Sequence, residues 1–217
     1  MGLIKQLERR PFHGIKRRKN VANARVGEVV RKTKETDVTV RLDLDGKGES
    51  KISTGIHFFD HMLTLFARHG LFDLEILCKG DIEVDGHHTV EDVGIALGEA
   101  LNVALAKKEG ISRYGVAYVP MDEALCRAVV DLSGRAYIVC RADFSAEMVG
   151  QLNTELVEEF FRAMAVQARM NLHLEVLYGK NSHHMVEAMF KSAAKAICMA
   201  VTRDPRVIGI PSTKGVL

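Results

Sequence analysis

Two short stretches of this sequence carry the same pattern, His-His-x-x-Glu: His87-His88-Thr89-Val90-Glu91 and His183-His184-Met185-Val186-Glu187. Imidazole nitrogen and carboxylate oxygen are donors that a divalent transition metal accepts. On a helix, residues four apart lie about 40° from one another around the axis, and adjacent residues about 100° apart. His87 and Glu91 therefore share a face while His88 points away, and His183, Glu187 and His184 repeat the arrangement. One helix start thus offers ligands in two directions. Two copies supply six donors, enough for two metal ions that each draw on both copies. Carboxylate with several imidazoles suits Mn²⁺, Fe²⁺ or Zn²⁺, and the lack of a thiolate in either motif argues against a structural zinc site. A single adjacent His pair is commonly surface decoration. Two copies with the same Glu spacing, inside a longer repeat, point to metal.

The repeat also indicates further donors. His61 lies 26 residues before His87, and the matching place 24 residues before His183 is Glu159. His173 is the alternative, on a segment where the first half has Asp73. His13, His57 and His69 have no repeat partner. His57 reads as a surface residue and His69 as a helix-end histidine against the carbonyl dipole. A second theme is cationic. Arg113, Arg135, Lys191 and the Ser212-Thr213-Lys214-Gly215 stretch place positive or hydroxyl side chains beside small residues, as phosphate binding needs. No Walker or G-x-G-x-x-G loop is present, so a nucleotide is not indicated.

The elements that must hold these groups follow from hydrophobic periodicity. Val38, Val40, Leu42 and Leu44 alternate as a half-buried strand. Asp60 is the expected cap of a helix that Gly70 ends. Phe72–Ile76 alternates again, and His87–Lys108 has the spacing of a long amphipathic helix. The second half repeats the order: strands at Val129-Val130 and Tyr137–Cys140, a helix over Thr154–Met170, a strand over Leu172–Leu177, and a helix over Ser182–Val201. The strands before the two motifs share a Leu-Glu-(Ile/Val)-Leu core, at 74–77 and 174–177. The expectation is an α+β architecture of duplicated β-β-α-β-α halves, two sheets each backed by helices. The halves span residues 21–115 and 116–217 and pack as one unit, behind a basic N-terminal extension, 1–20.

Composition narrows the classes. The 217 residues are 47% apolar and 27% charged, ordinary for a globular chain. No apolar run approaches the ~20 residues of a membrane span. The overall charge of +2 is uneven, because residues 1–20 hold seven Lys/Arg against one Glu. That stretch lacks the apolar core of a secretory signal. The body has no basic patch with interleaved aromatics and no Trp, so neither nucleic acid nor membrane is an expected partner. The four cysteines are scattered and read as reduced thiols in a cytoplasmic protein.

With these residues in place, the sequence resembles the imidazoleglycerol-phosphate dehydratases of histidine biosynthesis. The resemblance is carried by residues 31–36, Thr54–Leu63, Gly80–Gly98, Ile111–Gly115, Pro120–Ala124, Asp131–Arg135, Gly179–Lys191 and the Ser-x-Lys-Gly near the C-terminus. It runs from about Arg25 to Lys214. It implies a fold like that of ribosomal protein S5 domain 2, two Mn²⁺ per active site, and trimers assembled into a 24-subunit shell with sites at subunit interfaces. The implied reaction is dehydration of D-erythro-imidazoleglycerol phosphate to imidazole acetol phosphate. The metal ligands would be His61, His87, His88, Glu91, Glu159, His183, His184 and Glu187. Glu159 stands where the family often has His in a Glu-His-Phe-Phe segment, so either Glu159 is the ligand or the coordination differs there.

The implied chemistry uses the substrate's ring. The C–H to be broken has no flanking carbonyl, so simple deprotonation does not serve. An imidazolate held between two Mn ions would expel hydroxide, giving a diazafulvene-like intermediate, and loss of the neighbouring proton would give an enol that ketonises. Glu35 is the candidate acid/base, with Glu91 and Glu187 as further proton carriers. Arg113, Arg135, Lys191, Ser212 and Lys214 would hold the phosphate, while His61, His87 and His183 would also face the substrate. A dinuclear phosphoester hydrolase and a non-catalytic metal-storage shell are the competing readings of the same ligand types.

Overall fold

The computed structural model describes residues 24–217; the basic extension and His13 lie outside the described residues. The first half runs β1 (Val26–Lys32), β2 (Thr36–Asp43), β3 (Ser50–Ser53), α1 (His57–Gly70), β4 (Asp73–Gly80) and α2 (His87–Leu105). The second runs β5 (Tyr114–Met121), β6 (Ala124–Asp131), β7 (Tyr137–Arg141), a small hairpin of β8 (Met148–Val149) and β9 (Leu152–Asn153), α3 (Glu155–Gln167), β10 (Asn171–Tyr178) and α4 (Ser182–Val201). The two main sheets have matching strand orders, β1-β2-β4-β3 and β5-β6-β10-β7. In each, the last strand added runs parallel to its neighbour while the others are antiparallel. The duplication expected from the sequence is therefore present in the topology. Each half carries one short strand, β3 or β7, alongside the strand before its second helix.

Alternation decides which sheet face is covered. Val38, Val40 and Leu42 of β2, and Cys126, Ala128 and Val130 of β6, are buried toward the helices. The other faces keep apolar side chains exposed, among them Val30, Tyr118 and Tyr137.

The helices do not all stay with their own half. α2 packs on β1 and β2, and α4 on β5 and β6, but α1 packs chiefly against α4 and α3 against α2. Phe59 from α1, Phe160 and Phe161 from α3 and Phe190 from α4 meet in one aromatic cluster, with Phe160 and Phe190 stacked 5.2 Å apart. These rings are fully buried, which welds the halves into a single core. Gly94 and Gly98 let α2 and α3 approach. A Cβ at Gly98 would stand 2.4 Å from the Met164 carbonyl oxygen.

The helix ends differ from the sequence expectation in instructive ways. α1 begins three residues before Asp60, whose carboxylate accepts from the Thr54 amide and hydroxyl and so ties down the preceding loop rather than capping the helix. Gly70 is the last helical residue, and Leu71 takes the left-handed turn with φ 58°. α2 stops at Leu105, where Ala106 and then Lys108 adopt positive φ. α3 is shorter than expected at its C-terminal end for the same reason, with Arg169 at φ 52°.

Candidate metal centre

The helix exchange gathers three of the candidate metal donors. α1 lies against α4, so His61 meets His183 and Glu187, and these three side chains offer ligand atoms all within 4.8 Å of one another. Glu187 is the buried member, its side chain 9% exposed, with Oε2 3.3 Å from His183 Nε2 and 3.6 Å from His61 Nε2. Its other oxygen takes Lys191 Nζ at 2.5 Å, one helical turn on. Burial pushes the Glu187 carboxyl up, but the Lys191 ammonium, the His183 hydrogen bond and His61 outweigh it and hold it below the usual carboxylate range. Phe58 meets the His183 ring edge-on at 5.0 Å. One carboxylate and two imidazoles facing a common point is a donor set that fits Mn²⁺, Fe²⁺ or Zn²⁺.

His88 and His184 stand apart from this group, and in equivalent ways. His88 Nδ1 is held by Asp81 at 3.1 Å and His184 Nδ1 by Glu123 at 2.7 Å. Each Nε2 then faces a second carboxylate, Glu35 at 3.8 Å and Asp122 at 3.7 Å. A carboxylate on one ring nitrogen fixes the ring and leaves the other nitrogen as the donor, the usual support of a ligating histidine. The hydrogen bonds to Asp81 and Glu123 raise the pKa of His88 and His184 respectively. In return, His184 and the amides of Asn181 and Lys180 bring Glu123 down to about 2. Asp81, Asp122 and Glu123 were not singled out by sequence. Asp81 lies in the loop between β4 and α2, and Asp122 and Glu123 in the β5–β6 turn, so the only signal was an acidic residue in a loop ahead of each motif.

The remaining donors are placed as follows. His87 and Glu91 lie in the first two turns of α2, with the His87 amide capped by Asp85 at 2.7 Å. Glu159 lies on α3, the helix that packs against α2, and lines a cleft of about 930 Å³ with Glu147, Glu155 and Glu158. Among the described residues, His87, Glu91 and Glu159 do not close into a second group as tight as the first. His173 points from β10 to the sheet face away from the helices, beside Tyr137 and Glu175, while its neighbours Leu172 and Leu174 are buried. His57 starts α1 and is exposed, as expected. His69 sits in the last turn of α1, as expected, and burial with Lys191 and Lys195 lowers its pKa.

The cationic residues fall into two places. Arg113, at φ 69°, grips Asp131 through Nε at 2.7 Å and donates to the Pro211 carbonyl at 2.8 Å. That contact draws the C-terminal segment, with Ser212 and Lys214, toward the Ser133-Gly134-Arg135 loop. The Leu217 backbone comes so close to Gly134 that a Cβ there would meet its carbonyl carbon at 2.3 Å. The Arg135 side chain is exposed. Lys191 belongs instead to the metal-donor group, through Glu187.

The sequence model of one family, imidazoleglycerol-phosphate dehydratase, matches residues 54–197. The chain belongs to this family. That span contains every donor described above except Glu35, which lies in the hairpin before it. Among curated imidazoleglycerol-phosphate dehydratases, the one from Acetivibrio thermocellus is 57% identical over 190 residues, 88% of this chain and 97% of its own. That of Gluconacetobacter diazotrophicus is 57% identical over 195 residues, 89% of this chain and 98% of its own. Two solved family structures superpose with a TM-score of 0.75 each. The Staphylococcus aureus enzyme is 41% identical and matches over 82% of this chain and 99% of its own. The Pyrococcus furiosus enzyme, solved in complex with (S)-C348, is 36% identical and matches over 87% and 100%. Among the described residues no helix is long and apolar enough to cross a membrane.

Proposed function

We propose that this chain dehydrates D-erythro-imidazoleglycerol phosphate to imidazole acetol phosphate, the hydro-lyase step its family name denotes in histidine biosynthesis, with two Mn²⁺ per active site. The observation that carries the reading is the meeting of His61, His183 and Glu187 within 4.8 Å, drawn from helices of different halves. These three would hold one metal. His87, Glu91 and Glu159 are the pseudo-symmetric set for a second, and the oriented Nε2 atoms of His88 and His184 complete the shells. When bound, the metal pair supplies Lewis-acid stabilisation of negative charge on the imidazole ring.

The chain's own residues do the rest. Glu35 stands at an exposed hairpin turn beside His88, where its carboxylate takes the proton from the carbon next to the one that loses hydroxide. The electron pair released forms the enol, the proton and hydroxide leave as water, and the enol becomes the ketone. Glu91 and Glu187, beside the ring, are further proton carriers. Arg113, Arg135, Lys191, Ser212 and Lys214 bind the phosphate, so that remote binding energy orients the reacting carbons.

A homo-oligomer, trimers building a 24-subunit shell, is part of the proposal. The His88 and His184 rings are not part of the group on their own chain, and the sheet faces bearing Val30, Tyr118 and Tyr137 are apolar and exposed. Both features suit sites shared between copies. A cytoplasmic setting accords with four free cysteines, of which Cys78, Cys126 and Cys140 have pKa values pushed up by burial to about 11, 11 and 12.

The test is direct. Metal-stripped protein is incubated with imidazoleglycerol phosphate, with and without Mn²⁺, and product is followed by ketone and by inorganic phosphate assays. Metal-dependent ketone supports the proposal. Free phosphate would point to a hydrolase, and metal uptake without turnover to a storage protein. Sedimentation of the loaded protein reports the assembly.

A further inference from the structure

One buried carboxylate near the site has no place in the chemistry above. Asp92 follows Glu91 on α2, and its side chain is 7% exposed. It is not one of the gathered donors. Its Oδ1 accepts from Arg31 Nε at 2.8 Å, and its Oδ2 accepts from the Thr36 hydroxyl. Arg31 and Thr36 are on the two arms of the β1–β2 hairpin, and Glu35 is at its turn. The turn is stiff. Thr33 Oγ1 accepts from the amides of Glu35 at 3.1 Å and Thr36 at 2.9 Å, and the Glu35 carbonyl accepts from the Asp81 amide at 3.2 Å. Both arms are thereby pinned to the helix that begins with His87 and His88.

The second half shows that the fold does not need this aspartate. At the position matching Asp92, α4 has Ala188, fully buried. The β5–β6 hairpin is fastened differently, by Glu123 accepting from the amides of Lys180 and Asn181. A buried ion pair is commonly no more stabilising than apolar packing in its place. Two hairpins of similar design thus differ in that only the one bearing Glu35 is clamped by a buried acid.

We propose that Asp92 is a positioning residue. Through Thr36 and Arg31 it fixes the β1–β2 hairpin on α2 and so sets the Glu35 carboxylate 3.8 Å from His88 Nε2. The inference rests on the dehydratase reading and on Glu35 as its acid/base.

Thr36→Val removes the hydroxyl at nearly constant volume, and Asp92→Asn keeps the shape while removing the charge. Both are made in the full-length, Mn²⁺-loaded protein. In each, kcat should fall about 10- to 100-fold, as a misplaced catalytic group does. KM should stay within about twofold, with metal content and assembly unchanged. Combined with Glu35→Asp, the Thr36→Val loss should be less than multiplicative, since both act through one carboxylate. Unchanged kcat in both variants, loss of metal or assembly in Thr36→Val, or a fully multiplicative combination would each overturn the proposal. Wild type without dehydratase activity, or Glu35→Gln with full activity, would instead remove the reading beneath it.

Discussion

Glu187→Gln separates the structural and metal-binding roles of the gathered donors. The carboxylate is almost buried, and it is the one anion among two imidazoles and the Lys191 ammonium, which is itself 15% exposed. Glutamine can still accept from Lys191, so the ammonium keeps a partner but loses its counter-charge. A hydrogen bond to a charged group contributes about 1.5–3 kcal/mol, so a loss of about 1–2 kcal/mol in metal-free protein is expected. For a chain of this size that is a fall in Tm of roughly 2–8 °C. The difference depends on pH in a definite sense. The folded carboxyl titrates below its unfolded value, so the stabilisation is present above the ordinary Glu range and disappears as pH falls through the folded pKa. Mn²⁺ adds a second effect. At 100 times its Kd a ligand raises stability by about 2.7 kcal/mol, an increment that wild type should show and the variant should largely lack. Differential scanning calorimetry near pH 7, with and without Mn²⁺, reads both quantities. An equal Mn²⁺-induced rise in Tm for the two proteins would refute Glu187 as a ligand, and an equal Tm without metal would refute the charge argument.

Glu35→Gln should keep Mn²⁺ and the assembly while kcat falls about 10²- to 10⁴-fold, the range of a lost acid/base; metal analysis beside the ketone assay checks it. Metal uptake should weaken as pH falls through the raised pKa values of His88 and His184, because Mn²⁺ must displace their protons. Equilibrium dialysis at several pH values reads this, and it should place the loss at higher pH than an ordinary histidine would give. Gly98→Ala drives a Cβ to 2.4 Å from the Met164 carbonyl oxygen, so α2 and α3 must separate. Overpacking of this kind costs about 1–3 kcal/mol, and thermal unfolding should show it together with reduced Mn²⁺ content.

Much of this arrangement was legible because the chain repeats itself. The paired His-His-x-x-Glu motifs located both helix starts, and the shared Leu-Glu-(Ile/Val)-Leu strands fixed where each half stood. The exchange of α1 and α3 between halves was not legible. It depends on which helix faces fit together, such as Gly94 and Gly98 admitting α3, and no local pattern states that. Asp81 and Glu123 escaped notice for a related reason. A carboxylate in a loop is unremarkable until the fold brings it to a ring nitrogen seven or sixty-one residues away. The end of α1 falls at Gly70 as the sequence indicates, but not because that glycine makes a left-handed stop. The structure uses that glycine for closeness, since a Cβ there would lie 2.3 Å from the Phe72 ring, and Leu71 makes the turn.

The places where the two halves depart from their own repeat are as informative as the repeat. A planar imidazole presents two similar nitrogens, and pseudo-symmetric donor sets match it, but the rest of the proposed substrate is one-sided. The protein is one-sided in three corresponding ways. Glu187 carries Lys191 one turn on, where Glu91 has Ile95. The carboxylate facing Nε2 of the second histidine of the motif is the longer Glu35 in one half and the shorter Asp122 in the other. The Glu35 hairpin is clamped by a buried Asp92 where the second half has Ala188. On the proposed reading, a cation on one side would select the end to which a phosphate points, and a longer carboxylate on the other would select where a proton moves. In the proposed reaction, duplication would supply the symmetric grip on the ring, and the divergence of a few side chains would give the reaction its direction.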